Sequence, residues 1–230
     1  IQSDHLDYHK TEANYINAKL SITNLNNINP SIISIDQMQD LLPQLSEAQE
    51  EQISKSQFLS AKDSSAPFKY SFVYNPDGPS KINLNFPSLI LETSISLFLK
   101  FNVENYISAI ALISKHVDSN DLNNTNRASV KLPEGRGEIL RLKEGMILID
   151  FAHDQQSIQN ILSELSNYYS DIILVFGCGG DRDKLKRPKM MKVAQDFSSK
   201  VFFTSDNNRD ESFSTIVLDA MNKNGEPTQS

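Results

Sequence analysis

The chain is poor in several things, and each shortage excludes a class of protein. It has one cysteine, Cys178, in 230 residues. A lone thiol closes no internal disulfide, which fits a reducing cytoplasm rather than a disulfide scaffold. Its four histidines are too few for a His-rich metal tract. No apolar run approaches the roughly 20 residues of a membrane helix; the longest, around Ile107–Ser114, falls well short. Ile1-Gln2-Ser3-Asp4-His5 has neither the basic start nor the apolar stretch of a signal peptide, so a cytoplasmic protein without membrane insertion is expected. The absence of an initiator methionine gives the expectation that the chain begins inside a larger protein. There is no surplus of basic residues: 22 Lys and Arg face 29 Asp and Glu, a net charge of -7. That balance argues against non-specific nucleic-acid binding, which needs a basic face. No internal repeat is found, and neither a Gly-Lys-Ser/Thr phosphate loop nor a GxGxxG run occurs.

What is present is an ordinary globular composition, 39% hydrophobic and 22% charged, long enough for one large or two small domains. The texture changes along the chain. Up to about Ala128 it is uneven and rich in Asn and Ser. Thr11–Leu20 reads as a helix, and Phe68–Tyr74 and Lys81–Phe86 alternate like strands around the turn signal Asn75-Pro76-Asp77-Gly78, which predicts a hairpin. Phe101–Lys115 places Val103, Tyr106, Ile107, Ile110 and Ile113 at helical spacing. From Met146 the pattern turns regular. Met146–Phe151, Ile172–Phe176 and Val201–Thr204 read as strands, the second of them apolar enough to be buried on both faces. Ser157–Tyr168, Pro188–Phe197 and Phe213–Met221 read as helices between and after them. The β-α-β-α-β-α order predicts an α/β fold with a thin, parallel, Rossmann-like sheet. Ligands of such sheets sit at the carboxyl ends of the strands. Asp150–His153, Gly177–Lys184 and Asp206–Arg209 all lie there.

Each of these segments has two readings. Gly177-Cys-Gly-Gly-Asp-Arg-Asp-Lys184, between strand and helix, either cradles an anion on exposed N–H groups or is a glycine turn with solvated charges. Asp206-Asn-Asn-Arg209 either presents a guanidinium fork to a carboxylate or is a polar loop. Asp4-His-Leu-Asp-Tyr-His9 offers ligands to a cation or is a polar segment. Asn102 fits a helix N-cap, and Glu134-Gly-Arg136 a turn.

Taken in order, these segments resemble the Mur ligases. Phe176–Pro188, reading FGCGGDRDKLKRP, is similar to the C-terminal-domain signature of the family members that act on UDP-N-acetylmuramoyl-L-alanyl-D-glutamate. Asp4–His9 with Ala18-Lys19 is similar to the family's HLDYH…AK segment, Phe101–Asn105 to its FNxxN segment, Gly135-Arg136 to its GR turn, and Asp150–His153 to its entry into the last domain. The resemblance implies that residues 1–145 are the end of the central ATP-binding domain and residues 146–230 part of the Rossmann-like C-terminal domain. It implies an acyl-phosphate ligation: ATP phosphorylates the D-Glu carboxylate, the incoming amine attacks, and phosphate leaves. Positioning and charge neutralisation by Mg²⁺ and basic groups carry most of that chemistry. By the resemblance, Lys19 as a carbamate and His5 ligate Mg²⁺, Asn102 and Asn105 contact adenine, and Arg136 and Asp150 the nucleotide. Arg182, Asp206, Asn207 and Arg209 hold the incoming amino acid, with Arg209 on the distal carboxylate of meso-diaminopimelate.

The sequence departs from the family pattern in places. Asn208 stands where the family has Pro, Phe151-Ala-His-Asp-Gln-Gln156 replaces Y-A-H-T-P-D, and Leu99 takes the place of a Gly. The family's phosphate loop, UDP-binding domain and late G-K-G-H-E segment are not in this stretch. The expectation is therefore about half a ligase, with the remainder of the enzyme as a partner. The competing expectations are a fragment that only binds nucleotide or amino acid, and another ligase of the superfamily, lysine-adding or folylpolyglutamate-like.

Overall fold

In the computed structural model, residues 6–21, 32–39, 42–54, 56–125, 127 and 130–222 are described. Two short helices, α1 (Leu6–His9) and α2 (Glu12–Leu20), open the chain. Among the described residues the chain divides into two units, one of residues 16–150 and one that combines residues 6–15 with residues 151–222.

The first unit holds β1 (Ile32–Ser34), α3 (Glu47–Ser54), β2 (Gln57–Ser60), β3 (Phe68–Val73), β4 (Ser80–Phe86), β5 (Leu89–Ile95), α4 (Lys100–Ile113), α5 (Ser119–Asn124), β6 (Glu138–Arg141) and β7 (Met146–Ile149). The first five strands form one sheet in the order β1-β2-β3-β4-β5. β1, β2 and β3 run parallel, while β3, β4 and β5 form an antiparallel meander. Strict alternation explains the meander: in β4 every second residue is buried, so Ile82, Leu84 and Phe86 point inward while Lys81, Asn83 and Asn85 face water. Val103, Ile107, Ile110 and Ala111 of α4 share that core with Phe68, Leu91 and Ile95. The hairpin between β3 and β4 turns where the sequence predicts, with the Asp77 N–H donating to Asn75 Oδ1 at 3.1 Å. A second, smaller core joins Ile16 and Leu20 of α2 to Met38 and Ile53.

The second unit holds α6 (Gln155–Leu165), β8 (Ile173–Cys178), α7 (Lys186–Phe197), β9 (Lys200–Ser205) and α8 (Phe213–Met221). β8 and β9 pair in parallel. Ile158 and Leu162 of α6, Met190 and Val193 of α7 and Ile216 of α8 pack with Leu174, Phe176 and Phe203. α6 starts on a capping box in which Asp154 Oδ1 accepts from the Ser157 N–H at 2.8 Å.

Three sequence expectations are corrected. Met146–Ile149 does not head a parallel sheet with β8; it pairs antiparallel with β6, because Gly145 (φ 107) permits the tight return that makes Glu138–Ile149 a hairpin. β8 is not buried on both faces. Its three helical neighbours share one side, and Ile173 and Val175 on the other are 57% and 63% exposed. Asn102 is not an N-cap. Leu99 occupies that position, and Asn102 lies buried in the first turn of α4. No helix among the described residues is long and apolar enough to cross a membrane.

Candidate functional site

The sequence-predicted residues fall into two groups. The first lies in the unit of residues 16–150, around Gly137. The Pro133–Gly137 segment turns back on itself, with the Arg136 N–H donating to Pro133 O at 3.1 Å and Gly135 and Gly137 at φ 70 and 63. The Gly137 N–H donates to Asp150 Oδ2 at 2.8 Å. A β-carbon at Gly137 would stand 2.8 Å from Asn102 Nδ2, so the absence of a side chain lets the turn close onto α4. Asn102 Nδ2 donates to Phe98 O at 2.8 Å. Asn102, Arg136 and Asp150 are thus gathered at one corner, with Arg136 exposed and Asp150 half-buried. Asn105, one turn further along α4, is exposed.

Below this corner sits a strained residue. Leu99 is fully buried with φ 67 and ψ 129, a conformation that costs a side-chain-bearing residue on the order of 1–3 kcal/mol. It is held by its N–H, which donates to the Tyr74 hydroxyl at 2.9 Å, and by its carbonyl, which accepts from the Asn102 N–H at 3.0 Å.

The second group lies in the unit of residues 151–230. Arg182, Asp206, Asn207 and Arg209 line one cavity of about 240 Å³ at the carboxyl ends of β8 and β9, together with His153, Asp183 and Lys186. The glycines there bring two loops into backbone contact. A β-carbon at Gly177 would meet Thr204 O at 2.5 Å, and one at Gly180 would meet Asn208 O at 1.8 Å. The Gly180 N–H donates to Asn207 O at 2.9 Å and the Asp210 N–H to Asp181 Oδ2 at 3.1 Å. Asp181 and Arg209 take positive φ, 50 and 49, at the tips of their loops. Among the described residues Arg182, Lys186 and Arg209 make no ion pair, so three cations face the cavity with Asp183 and Asp206 beside them. That array suits a ligand carrying carboxylates and an ammonium.

Sequence reasoning placed the Asp150–His153 segment at the strand ends but gave His153 no role, and it missed Lys186, which also lines the cavity, and the buried cluster beside it. Arg187 is 0% exposed. Its Nη1 donates to Asp219 Oδ2 at 2.7 Å, and its Nη2 to Glu211 Oε2 at 2.6 Å and Gly179 O at 3.0 Å. Lys184 pairs with Glu211 Oε1 at 2.8 Å. The hydrogen bond from Arg187, aided by Lys184, holds the Glu211 carboxyl down at about 2. The Arg187 guanidinium is pushed up: its burial acts the other way, but the hydrogen bonds and charges of Glu211 and Asp219 outweigh it. Burial, against the pull of the Arg187 and Lys186 charges and with a smaller push from Asp206, raises the Cys178 thiol to about 11, so it stays protonated and packs 3.9 Å from Met190 Sδ. A single basic residue in the first turn of α7 carries no periodicity that marks it as buried, so sequence reasoning assigns Arg187 no role.

Two residues are expected from the sequence to hold a metal ion. His5 lies outside the described residues. Lys19 is exposed in the last turn of α2. No group of three or more His, Cys, Asp and Glu side chains suited to a metal ion occurs among the described residues.

Comparison with known proteins finds two domain matches. The Mur ligase middle domain matches residues 1–113, and the Mur ligase glutamate ligase domain matches residues 135–229. The UDP-N-acetylmuramoyl-L-alanyl-D-glutamate--2,6-diaminopimelate ligase of Fusobacterium nucleatum is 33% identical over 95% of this chain and 44% of its own. A solved structure of a ligase of the same name is 30% identical, with a TM-score of 0.52 over 96% of this chain and 46% of that one. The MurF ligase from Thermotoga maritima in complex with ADP shares the fold at 14% identity and a TM-score of 0.58, over 90% of this chain and 51% of its own. The chain therefore spans about half the length of the relatives it matches. With both domain matches lying in the family's order along the sequence, the chain belongs to the Mur ligase family.

Proposed function

We propose that this chain supplies the amino-acid site and part of the nucleotide site of an ATP-dependent ligase that adds meso-diaminopimelate to UDP-N-acetylmuramoyl-L-alanyl-D-glutamate, a cytoplasmic step in peptidoglycan assembly. One observation carries the reading: two guanidiniums from different loops, Arg182 and Arg209, line one cavity with Asp206 and Asn207, and neither is ion-paired among the described residues. A diamino dicarboxylic acid presents matching groups, two carboxylates for the arginines and ammonium groups for Asp206 and Asn207. In this reading residues 1–145 end the ATP-binding domain and residues 146–230 belong to the amino-acid-binding domain, although β7 is held in a hairpin with β6. Asn102 and Asn105 take adenine, while Arg136 and Asp150 take the rest of the nucleotide. The corner fits: Gly137 and Asn102 close together.

The reaction transfers the terminal phosphoryl group of ATP to the D-Glu carboxylate. The amine held in the cavity then attacks the acyl carbon, loses a proton and expels phosphate. The role of this chain's side chains is orientation and charge neutralisation. Mg²⁺, held through Lys19 as a carbamate and through His5, would neutralise phosphate charge.

Titration of the 230-residue chain with meso-diaminopimelate and with lysine tests the reading. Meso-diaminopimelate is expected to bind more tightly, and Arg209→Ala is expected to bring the two together, because lysine has no distal carboxylate. Equal or tighter binding of lysine by the unaltered chain would overturn the assignment.

A further inference from the structure

The two loops that carry Arg182 and Arg209 come from different strand ends. Their tips meet through a few hydrogen bonds, Gly180 N–H to Asn207 O and Asp210 N–H to Asp181 Oδ2, and the glycines there add no side-chain bulk of their own. A buried group bonded to both loops would fix one against the other. Arg187 is the residue placed to do it. Through Nη2 it reaches the carbonyl of Gly179 in the first loop, at 3.0 Å. Both of its terminal nitrogens reach Glu211, at 3.2 and 2.6 Å, where the second loop enters α8. Its Nη1 also reaches Asp219 within α8, at 2.7 Å. Glu211 in turn accepts from the Asp181 N–H at 2.8 Å, so the second loop holds the backbone of the first directly.

We propose that Arg187 is a positioning residue: it locks the two arginine-bearing loops in register and so sets the spacing between Arg182 and Arg209. This rests on the reading of the cavity as an amino-acid site. Arg187 does not line that cavity; it acts through Gly179 and Glu211. The planar fork matters because three acceptors must be met at once from fixed directions, which a lysine ammonium on a flexible stem cannot do. Selectivity follows from the same geometry. A ligand with carboxylates at both ends needs the two guanidiniums at one fixed distance. A ligand with a single carboxylate tolerates drift between them.

The test joins amide hydrogen exchange with ligand titration on the full 230-residue chain and on its Arg187→Lys and Glu211→Gln variants. Both variants are expected to lose protection at the Gly180, Asp181 and Asp210 amides, which bridge the loops, while β8 amides keep theirs. Meso-diaminopimelate binding is expected to weaken on the order of a hundredfold, with a smaller loss for lysine, so that the ratio between the two ligands falls. A merely structural role would weaken both ligands alike. Retained protection of the bridging amides in both variants, or an unchanged ligand ratio where protection is lost, overturns the proposal. Should the unaltered chain bind neither amino acid, the amino-acid reading fails, and amide exchange alone then decides whether Arg187 is the lock.

Discussion

Two corners of this chain are built by opposite means. In the unit of residues 16–150, the Gly137 N–H bonds Asp150, and the missing side chain of Gly137 lets its turn close onto the first turn of α4, beside a strained, fully buried Leu99. In the unit of residues 151–230, two loops are joined by a buried guanidinium shared between two carboxylates and a carbonyl. The first corner is held by backbone conformation and the second by charge. Conformation lets segments close onto one another. Charge with planar geometry ties together segments from three elements, which is what a cavity between loops requires.

The largest expected effect breaks the charge-held corner alone. Arg187→Met keeps the bulk but takes the guanidinium from the buried Asp219 and leaves the half-buried Glu211 with Lys184 as its remaining ion pair, and a loss of about 3–5 kcal/mol is expected. Urea unfolding followed by amide exchange checks it: β8, α7 and α8 should lose protection while β4 and α4 keep theirs. Equal loss in both units would mean that they do not fold independently.

Acid probes the same contrast without mutation. The Glu211 carboxyl sits at about 2, below the ordinary value of 4.5, because its charged form is hydrogen-bonded by Arg187. A depressed carboxylate contributes stability that is full above pH 4.5 and is lost as pH falls towards 2. The loss is at most about 3 kcal/mol. Tryptophan is absent, so circular dichroism or exchange is the readout. Residues 151–222 should weaken across that window ahead of the first unit, and in Glu211→Gln that difference should vanish.

How far the sequence showed all this depends on the kind of signal each feature carries. α8 was legible to the residue, Phe213–Met221, and the β3–β4 hairpin was legible from period-two alternation around a turn. β5, also strictly alternating, was missed because Leu89–Ile95 abuts β4 through a two-residue turn with no glycine. The pairing of β7 was missed because an apolar tetrapeptide carries no record of its neighbour. The cavity residues were legible from loop position and family resemblance. Arg187 was not, because burial of a cation depends on acceptors 24 and 32 residues away.

The conformation-held corner offers a test whose sign is diagnostic. Leu99→Ala removes buried packing, which costs about 2–5 kcal/mol, and keeps the strain at φ 67. Leu99→Gly leaves a similar cavity and relieves the strain. Glycine normally destabilises relative to alanine by roughly 0.5–1 kcal/mol inside regular structure. Here the order is expected to reverse, with the glycine variant more stable than the alanine variant by about 1–3 kcal/mol in thermal unfolding. The usual order would show that Leu99 is not strained and that packing alone holds this corner.

The smallest effect separates local helix stability from the register of the loops. Asp154 caps α6 by accepting from the Ser157 N–H, and the Asp154 N–H donates to Ser157 Oγ to complete the box. Asp154→Ala should cost about 1 kcal/mol, visible as a lowered melting temperature. Yet Asp154 touches neither loop of the cavity, so the bridging amides of Gly180, Asp181 and Asp210 should keep their protection relative to β8. Arg187→Lys should do the converse, losing the bridge. If Asp154→Ala released the bridge as well, the cavity would be held by the stability of the whole unit, and the buried guanidinium would be one contributor among many rather than the element that fixes the loops.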